Sequence, residues 1–357
     1  MPWTPEQHAI IDHRLDAHAV VRAVPGAGKT TTLVGRVARL LERGVDPARV
    51  RVVMFNKAIQ QAFVARLEAA GVTGVRVTTF DALGYEVLAL AARRGLSQRR
   101  YAFVPDKESE LARLVWRSRR DVFDAPEEIA DAVAFWKAHL VPPARARFPS
   151  QPALVEAYAE WEEIRVERDV ARITFQDMVY TAVGVLGRYP RLLGPIDHLL
   201  VDEFQDVNPG RVELVRRLAH DATAIMAVGD EDQGVNEWCG AHPRYFRDFA
   251  ATFPWLPTER YTLSKSFRFG RVIAGAADRV IRNNTDRSEV TVKGGGAAPG
   301  IVKEIDDVAV AVKGLLGDGV APVDIAVLYR GRTQGAQAIA ALAAAGIPLR
   351  TDDADLL

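Results

Sequence analysis

The sequence predicts an α/β chain built on a parallel β-sheet, and three observations carry that prediction. Short apolar segments recur at Val20–Val24, Val50–Phe55, Val75–Phe80, His198–Val201 and Thr223–Val228. Helix-spaced segments separate them, the pattern of βαβ units. The first of these segments runs into a Pro/Gly turn and the other four into polar tails, at the strand end where parallel sheets place their ligands.

Composition sets the frame. A chain of 357 residues has room for two domains and a sizeable core. Its 46 Lys and Arg balance 46 Asp and Glu, so any polyanion site is local rather than a global field. The single cysteine, Cys239, excludes a disulfide framework within the chain and fits a reducing compartment. Met1–Gln7 has neither a basic n-region nor an apolar h-region, and no apolar run reaches the ~18 residues of a membrane span. A soluble, cytoplasmic protein without a membrane partner is expected.

Thr4-Pro5-Glu6-Gln7 starts a helix, with a threonine cap, proline at the first position and an acid in the first turn. Gln7 is either a surface residue of that helix or an amide that pairs with an adenine edge. The next segment, Val20 to Leu33, is an apolar run, a loop of Pro25, Gly26, Ala27 and Gly28, and a helix opened by Lys29, Thr30 and Thr31. Glycine-freed N–H groups and the helix dipole converge there on an anion. The loop reads as a P-loop with Ala23 at its first position. Lys29 is placed to reach β- and γ-phosphates, and the Thr30 hydroxyl to ligate Mg²⁺. A plain glycine turn is the alternative; the strand-loop-helix context favours the phosphate loop.

The strand Val50–Phe55 ends in Asn56-Lys57-Ala58, and a helix follows from Ile59 to Ala70. The strand Val75–Phe80 ends in Asp81. Between residues 88 and 186 strand signals fade, and an all-helical insertion is expected. Its first part is basic, from Arg93 to Arg120, which marks either a solvated helix face or a surface that tracks phosphates. The sheet resumes with two strands that end in Asp202-Glu203-Phe204-Gln205-Asp206 and Gly229-Asp230-Glu231-Asp232-Gln233. Acid clusters at two strand ends call for a cation, which Mg²⁺ with a nucleotide supplies. Beyond Tyr261, Leu263–Phe269 precedes a helix to Asn283, and Lys293–Gly300 reads as a linker. Strands at Ile301–Ile305 and Ile325–Tyr329, each followed by a helix, then open a second α/β unit without completing it.

In this order the motifs resemble those of superfamily 1 DNA helicases of the UvrD/Rep/PcrA type, over nearly the whole chain. Thr4–Gln7 is similar to the Q motif, whose glutamine reads adenine, and Ala23–Thr30 to Walker A. Phe55–Ala58 and Thr78–Asp81 are similar to motifs Ia and Ib, Asp202–Asp206 to Walker B, and Gly229–Gln233 with Trp238–Ala241 to motif III. Leu263–Arg268 resembles motif IV in the form nearest the F-box helicase branch, and Ile325–Arg330 a strand of the second motor lobe.

The resemblance implies a RecA-like ATP-binding lobe at 1–87 and 187–257, a helical insertion at 88–186, and part of a second RecA-like lobe at 258–357. It also implies an ATP-driven 3′-to-5′ translocase or helicase acting on single-stranded DNA or a 3′-tailed duplex. In the family roles, Lys29 holds phosphate, Asp202 holds Mg²⁺ with Thr30, and Glu203 is the general base. Gln233 senses the γ-phosphate, Arg268 is an arginine finger reaching across from the second lobe, and Phe267 stacks on adenine. Phe267 as core and Arg268 as a surface ion pair are the plainer readings. Phe55, Asn56, Lys57, Thr79, Phe80 and Trp238 face DNA in the family; each aromatic has a core role as its alternative.

The sequence departs from the family in two places. Asn236 and Cys239 stand in motif III where relatives often carry an aromatic and an arginine. Nothing matches motifs V and VI. A fragment, or a half-motor completed by a partner that supplies those motifs, is therefore an alternative expectation: a switch that binds ATP and DNA with little hydrolysis of its own. A P-loop ATPase acting on RNA or protein is the weakest reading.

Overall fold

The computed structural model describes residues 2–97, 100–104, 108–167, 169–235, 240–284 and 290–351. They divide into two units, 1–300 and 301–357.

In chain order the first unit runs α1 (Pro5–Ile11), β1 (His18–Ala23), α2 (Lys29–Glu42), β2 (Val50–Met54), α3 (Lys57–Ala69), β3 (Arg76–Thr79) and α4 (Phe80–Arg93). An insertion follows with β4 (Arg100–Phe103), α5 (Glu108–Arg117), α6 (Pro126–Ala138), α7 (Ala153–Ile164), β5 (Val166–Glu167), β6 (Val170–Ile173) and α8 (Phe175–Arg188). Then come β7 (His198–Val201), α9 (Pro209–Leu218), β8 (Ala224–Gly229), α10 (Arg244–Arg247), α11 (Phe249–Thr252) and β9 (Thr258–Leu263). The unit closes with β10 (Lys265–Ser266), α12 (Arg271–Ile281) and β11 (Lys293–Gly294).

Six strands pair in parallel in the order β3-β2-β7-β8-β1-β9. The middle strands are apolar on both faces because both faces are covered. Val20, Leu199, Val201, Ile225 and Ala227 enter one core with residues of α4, α8 and α9. Ala19, Val21, Leu200, Met226 and Val228 enter the other with Leu33, Val37 and Phe63 of α2 and α3. The period-2 alternation of each strand therefore feeds two cores. Each fully buried Leu, Ile or Val contributes on the order of 1.5–3 kcal/mol.

Several helix starts are capped by side chains, of which Thr4 is legible in the sequence. Thr4 and Gln7 form a reciprocal capping box on α1. Asn56 caps α3 through the Ile59 N–H, Thr79 caps α4 through the Ala82 N–H, and Asn208 caps α9 through the Arg211 N–H.

Three expectations are corrected. The insertion is not all-helical: β4-β6-β5 form a small sheet in it, with β4 parallel and β5 antiparallel to β6. Strands of two to four residues are too short for their alternation to stand out against flanking helices. Thr258–Leu263 does not begin a second lobe, since it pairs with β1 along its whole length as the sheet's edge strand. Ile301–Ile305 and Ile325–Tyr329 join no strand among the described residues. The second unit there consists of α13 (Val308–Gly317) and α14 (Arg332–Ala344), packed through Ala309, Val312 and Leu342.

The insertion has its own core around Leu111, Val133, Trp136, Tyr158 and Trp161. Beside it lies a buried ion cluster. Lys137 Nζ on α6 donates to Asp177 of α8 at 2.5 Å and pairs with Glu162 of α7 at 2.8 Å. Three helices are tied by one lysine.

Candidate functional site

Sheet order sets out the functional edge. Taken from one side to the other, the carboxyl ends lead into Phe80 after β3, Phe55 and Asn56 after β2, and Asp202 and Glu203 after β7. Asp230 then follows β8, Pro25–Gly28 follow β1, and Ser264–Arg268 follow β9. Residues scattered over more than two hundred positions thus form one row, as parallel sheets arrange them.

The P-loop is built as its composition demands. Gly26 and Gly28 hold left-handed backbones at φ 74° and 84°, and Gly28 caps α2. Ala27 is buried in the core beneath, while Pro25 and Thr30 are half-buried and Thr31 is exposed. Lys29 Nζ lies 2.7 Å from Glu203 Oε2, joining the start of α2 to the turn after β7. Gln7 is buried against this loop: its Nε2 stands 3.0 Å from where a β-carbon on Gly28 would sit. Its Oε1 accepts the Thr4 N–H at 3.0 Å, so α1 places the amide beside the phosphate loop.

Across from the lysine, Asp202 is 2 % exposed and accepts the Glu203 N–H at 3.0 Å. Burial, and then the neighbouring Glu203 charge, push its carboxyl up to about 6. Burial likewise raises Asp230. Glu203 itself sits in the left-handed region at φ 50°, which is rare for a residue with a side chain. Gln233 is exposed and donates to Asp230 Oδ2 at 2.6 Å. A buried carboxylate oxygen at a strand end, whose charge burial makes costly without a cation nearby, is a hard donor that fits Mg²⁺. That ion takes most of its ligands from water and phosphate and needs few from protein.

The segment after β9 closes over the P-loop. The Phe267 N–H donates to the Gly26 carbonyl at 2.9 Å, and Arg268 N–H to Ser266 Oγ at 3.3 Å. A β-carbon on Gly26 would fall 2.5 Å from Arg268 Cβ. Phe267 is 40 % exposed, with Lys265 Nζ 5.4 Å from its ring centroid, and Arg268 is exposed. Neither is core. Arg268 was expected to reach in from a second lobe; it stands in the same unit as the loop it covers.

The other half of the row holds the residues expected to face DNA. Asn56 and Lys57 are exposed, and Phe55 and Thr79 are half-buried. Phe80 is corrected: at 1 % exposure it lies in the core, so its ring offers no face to a base. It is the first residue of α4 rather than the end of a strand. Arg211 of α9, which the sequence did not single out, lies 5.3 Å from the Phe55 ring and 5.2 Å from the Phe80 ring. Trp238, with Asn236 and Cys239, lies outside the described residues.

Two more contacts escaped sequence reasoning. Glu6 accepts both the Ser264 N–H and its hydroxyl, at 2.9 and 2.7 Å, tying α1 to the segment that carries Arg268. Gln205, 2 % exposed, bridges Glu203 and Asp230. Its only signal was its place inside the acidic cluster.

With this geometry in place, comparison with known proteins is specific. Residues 3–254 match the UvrD/REP helicase N-terminal domain. The chain is 25 % identical to the putative ATP-dependent DNA helicase YjcD of Bacillus subtilis, over 93 % of this chain and 46 % of that protein. It is 27 % identical to the ATP-dependent DNA helicase UvrD2 of Mycobacterium tuberculosis, over 92 % of this chain and 52 % of the relative. It is 28 % identical to the ATP-dependent DNA helicase PcrA of Staphylococcus aureus, over 75 % of this chain and 38 % of the relative. The chain spans about half the length of these relatives, or less. Among the described residues no helix is long and apolar enough to cross a membrane. On the match over residues 3–254, the chain belongs to the UvrD/Rep helicase family.

Proposed function

We propose that this chain binds ATP with Mg²⁺, hydrolyses it, and couples the cycle to single-stranded DNA along the β2–β3 side of the sheet edge. The observation that carries the reading is the meeting of Lys29 and Glu203 under the Arg268 segment, on one edge of one sheet.

The roles follow from placement. The P-loop N–H groups and Lys29 take the β- and γ-phosphates. Thr30 and Asp202 would hold Mg²⁺, which supplies charge neutralisation to the phosphates when bound. Lys29, drawn to phosphate, leaves Glu203 free to orient a water and take its proton as the water oxygen attacks the γ-phosphorus. The bond to the bridging oxygen breaks, leaving ADP and inorganic phosphate. Arg268, above Gly26, stabilises the charge that develops, and Gln233 contacts the γ-phosphate. Gln7 recognises adenine and Phe267 offers it a stacking face.

Phe55, Asn56, Lys57 and Thr79 form the DNA face, with Arg211 added and Phe80 withdrawn. Trp238 supplies a further stacking surface. The resemblance carries a 3′-to-5′ direction along the strand. Such translocation on single-stranded or 3′-tailed DNA is the activity the UvrD/Rep family membership favours.

The test uses a fluorescent ATP analogue and a phosphate-release assay. Lys29→Ala should lose nucleotide binding, and Glu203→Gln should keep binding while losing turnover. Wild-type turnover in Glu203→Gln would remove Glu203 as the base and the proposed mechanism with it.

A further inference from the structure

We propose that Gln205 is a positioning residue that couples the general base to the γ-phosphate contact, so that a shift of the Gly229–Gln233 loop is felt at Glu203. The proposal rests on the roles given above to Glu203 and Gln233.

Gln205 lies in the turn after β7 and is buried, 2 % exposed. Both ends of its amide are committed, and to different strand ends. Nε2 donates to Glu203 Oε2 at 2.9 Å and to Asp206 Oδ2 at 3.3 Å, both after β7. Oε1 accepts the Asp230 N–H at 3.0 Å, after β8. The orientation is forced, because a carboxylate accepts only a donor and a backbone N–H donates only to an acceptor.

Asp230 carries the linkage onward. Its carboxylate accepts Gln233 Nε2 at 2.6 Å and the Asp232 N–H at 3.1 Å. A continuous chain therefore runs Lys29–Glu203–Gln205–Asp230–Gln233, with no gap longer than 3.0 Å. At Asp230 the link passes covalently from the backbone N–H to the carboxylate, so it transmits displacement of the loop rather than polarisation.

The backbone has been cleared for this amide. A β-carbon on Gly229 would fall 2.3 Å from Gln205 Oε1, and 3.2 and 3.3 Å from the Phe204 and Gln205 backbone nitrogens. Gly229 has no left-handed φ to explain it. Its lack of a side chain lets Gln205 cross from β7 to β8. Glu203, on a left-handed backbone, then has its carboxylate held by Lys29 and Gln205. When Lys29 turns to phosphate, Gln205 remains the contact through which the position of the Gly229–Gln233 loop reaches Glu203.

The experiment measures steady-state ATP turnover with and without oligo-dT, together with nucleotide affinity, for the wild-type chain, Gln205→Glu and Gly229→Ala. Gln205→Glu keeps an acceptor for Asp230 and replaces the donor to Glu203 with a like charge. Gly229→Ala displaces the amide without touching its chemistry. In both variants the ratio of DNA-stimulated to basal turnover should fall at least about tenfold, with ATP affinity within about twofold of wild type. Equal losses in both rates, leaving the ratio intact, would mean a purely structural role and overturn the proposal. An unchanged ratio in a Gly229→Ala chain that binds ATP would overturn it even if Gln205→Glu does not fold. A wild-type chain without DNA stimulation would instead contradict the functional reading, and the coupling role would fall with it.

Discussion

Lys29 Nζ stands 2.7 Å from Glu203 Oε2, so the lysine expected to hold phosphate holds the carboxylate expected to act as base. The two partners are 13 % and 22 % exposed, and the contact is a charge-assisted bond sheltered from water. Under the proposed roles, the base is occupied until phosphate draws the lysine away. Glu203→Gln should therefore bind ATP at least as tightly as wild type, because Lys29 no longer has a carboxylate partner. Its turnover should drop by roughly 10²–10⁴. Isothermal titration and phosphate release check both halves, and weakened binding would contradict the contact's role.

Gly26→Ala should uncouple the Arg268 segment from the P-loop. The new β-carbon would meet Arg268 Cβ at 2.5 Å and Ser266 Oγ at 2.9 Å, on a backbone at φ 74°. The left-handed conformation alone costs on the order of 1 kcal/mol for a side-chain residue. Loss of turnover, with a lowered urea midpoint, is expected; wild-type kinetics would show that the segment's closeness is irrelevant.

Phe55 and Phe80 should separate cleanly, although both flank Arg211. Phe55→Ala should weaken oligo-dT binding by about 1–3 kcal/mol, the usual worth of a base-stacking aromatic. Phe80→Ala, in the core, should instead lower stability by about 3–5 kcal/mol. Fluorescence anisotropy and chemical denaturation distinguish them, and a stable Phe80→Ala chain with weakened DNA binding would reverse the assignment.

Acid should destabilise the fold through buried histidines. Burial pushes His18 and His198 down to about 4. Near its ordinary value of about 6.5 the unfolded chain takes up a proton that the native state refuses. Stability is thus fully present above about pH 6.5 and falls as pH drops toward 4, by up to about 3 kcal/mol for each histidine. Urea midpoints from pH 8 to 4 should follow this slope, and His198→Leu should flatten part of it. Identical pH profiles for the wild type and His198→Leu would refute the burial argument.

The insertion should depend on its lysine. Lys137→Met removes the closer of two cations on Asp177, leaving Arg165 on Glu162 at 2.6 Å and on Asp177 at 3.7 Å, and should cost less than the about 3–5 kcal/mol of a fully unpaired buried charge. Asp177→Asn, which removes the charge and keeps an acceptor for the Thr174 N–H, should recover part of the loss when added to Lys137→Met. A double variant less stable than the single would contradict this.

How much was legible in the chain follows from the range of the interactions. The glycine loop, the Thr4 cap of α1, and the strands ending at Asp202 and Asp230 are local patterns, and the structure places them as read; the reciprocal bond from Gln7 to Thr4 was not read. Pairings between distant segments were not legible. Thr258–Leu263 is an edge strand of mixed polarity, and only its partner β1 reveals it as part of the first sheet. Glu6 and Ser264 are 258 positions apart, and nothing near either one announces the bond. Phe80 looked like a strand terminus because four of the five residues Val75–Thr79 are β-branched, yet Thr79 caps α4 and Phe80 is its first residue. Gln205 was quoted within a motif, but its use by two strands depends on β7 lying beside β8.

Steady-state ATP hydrolysis by this 357-residue chain, with and without single-stranded DNA, tests the central claim most directly. The account predicts turnover that rises on adding oligo-dT and disappears in Lys29→Ala and Glu203→Gln. Turnover that persists in those two variants, or that ignores DNA in the wild-type chain, would contradict it.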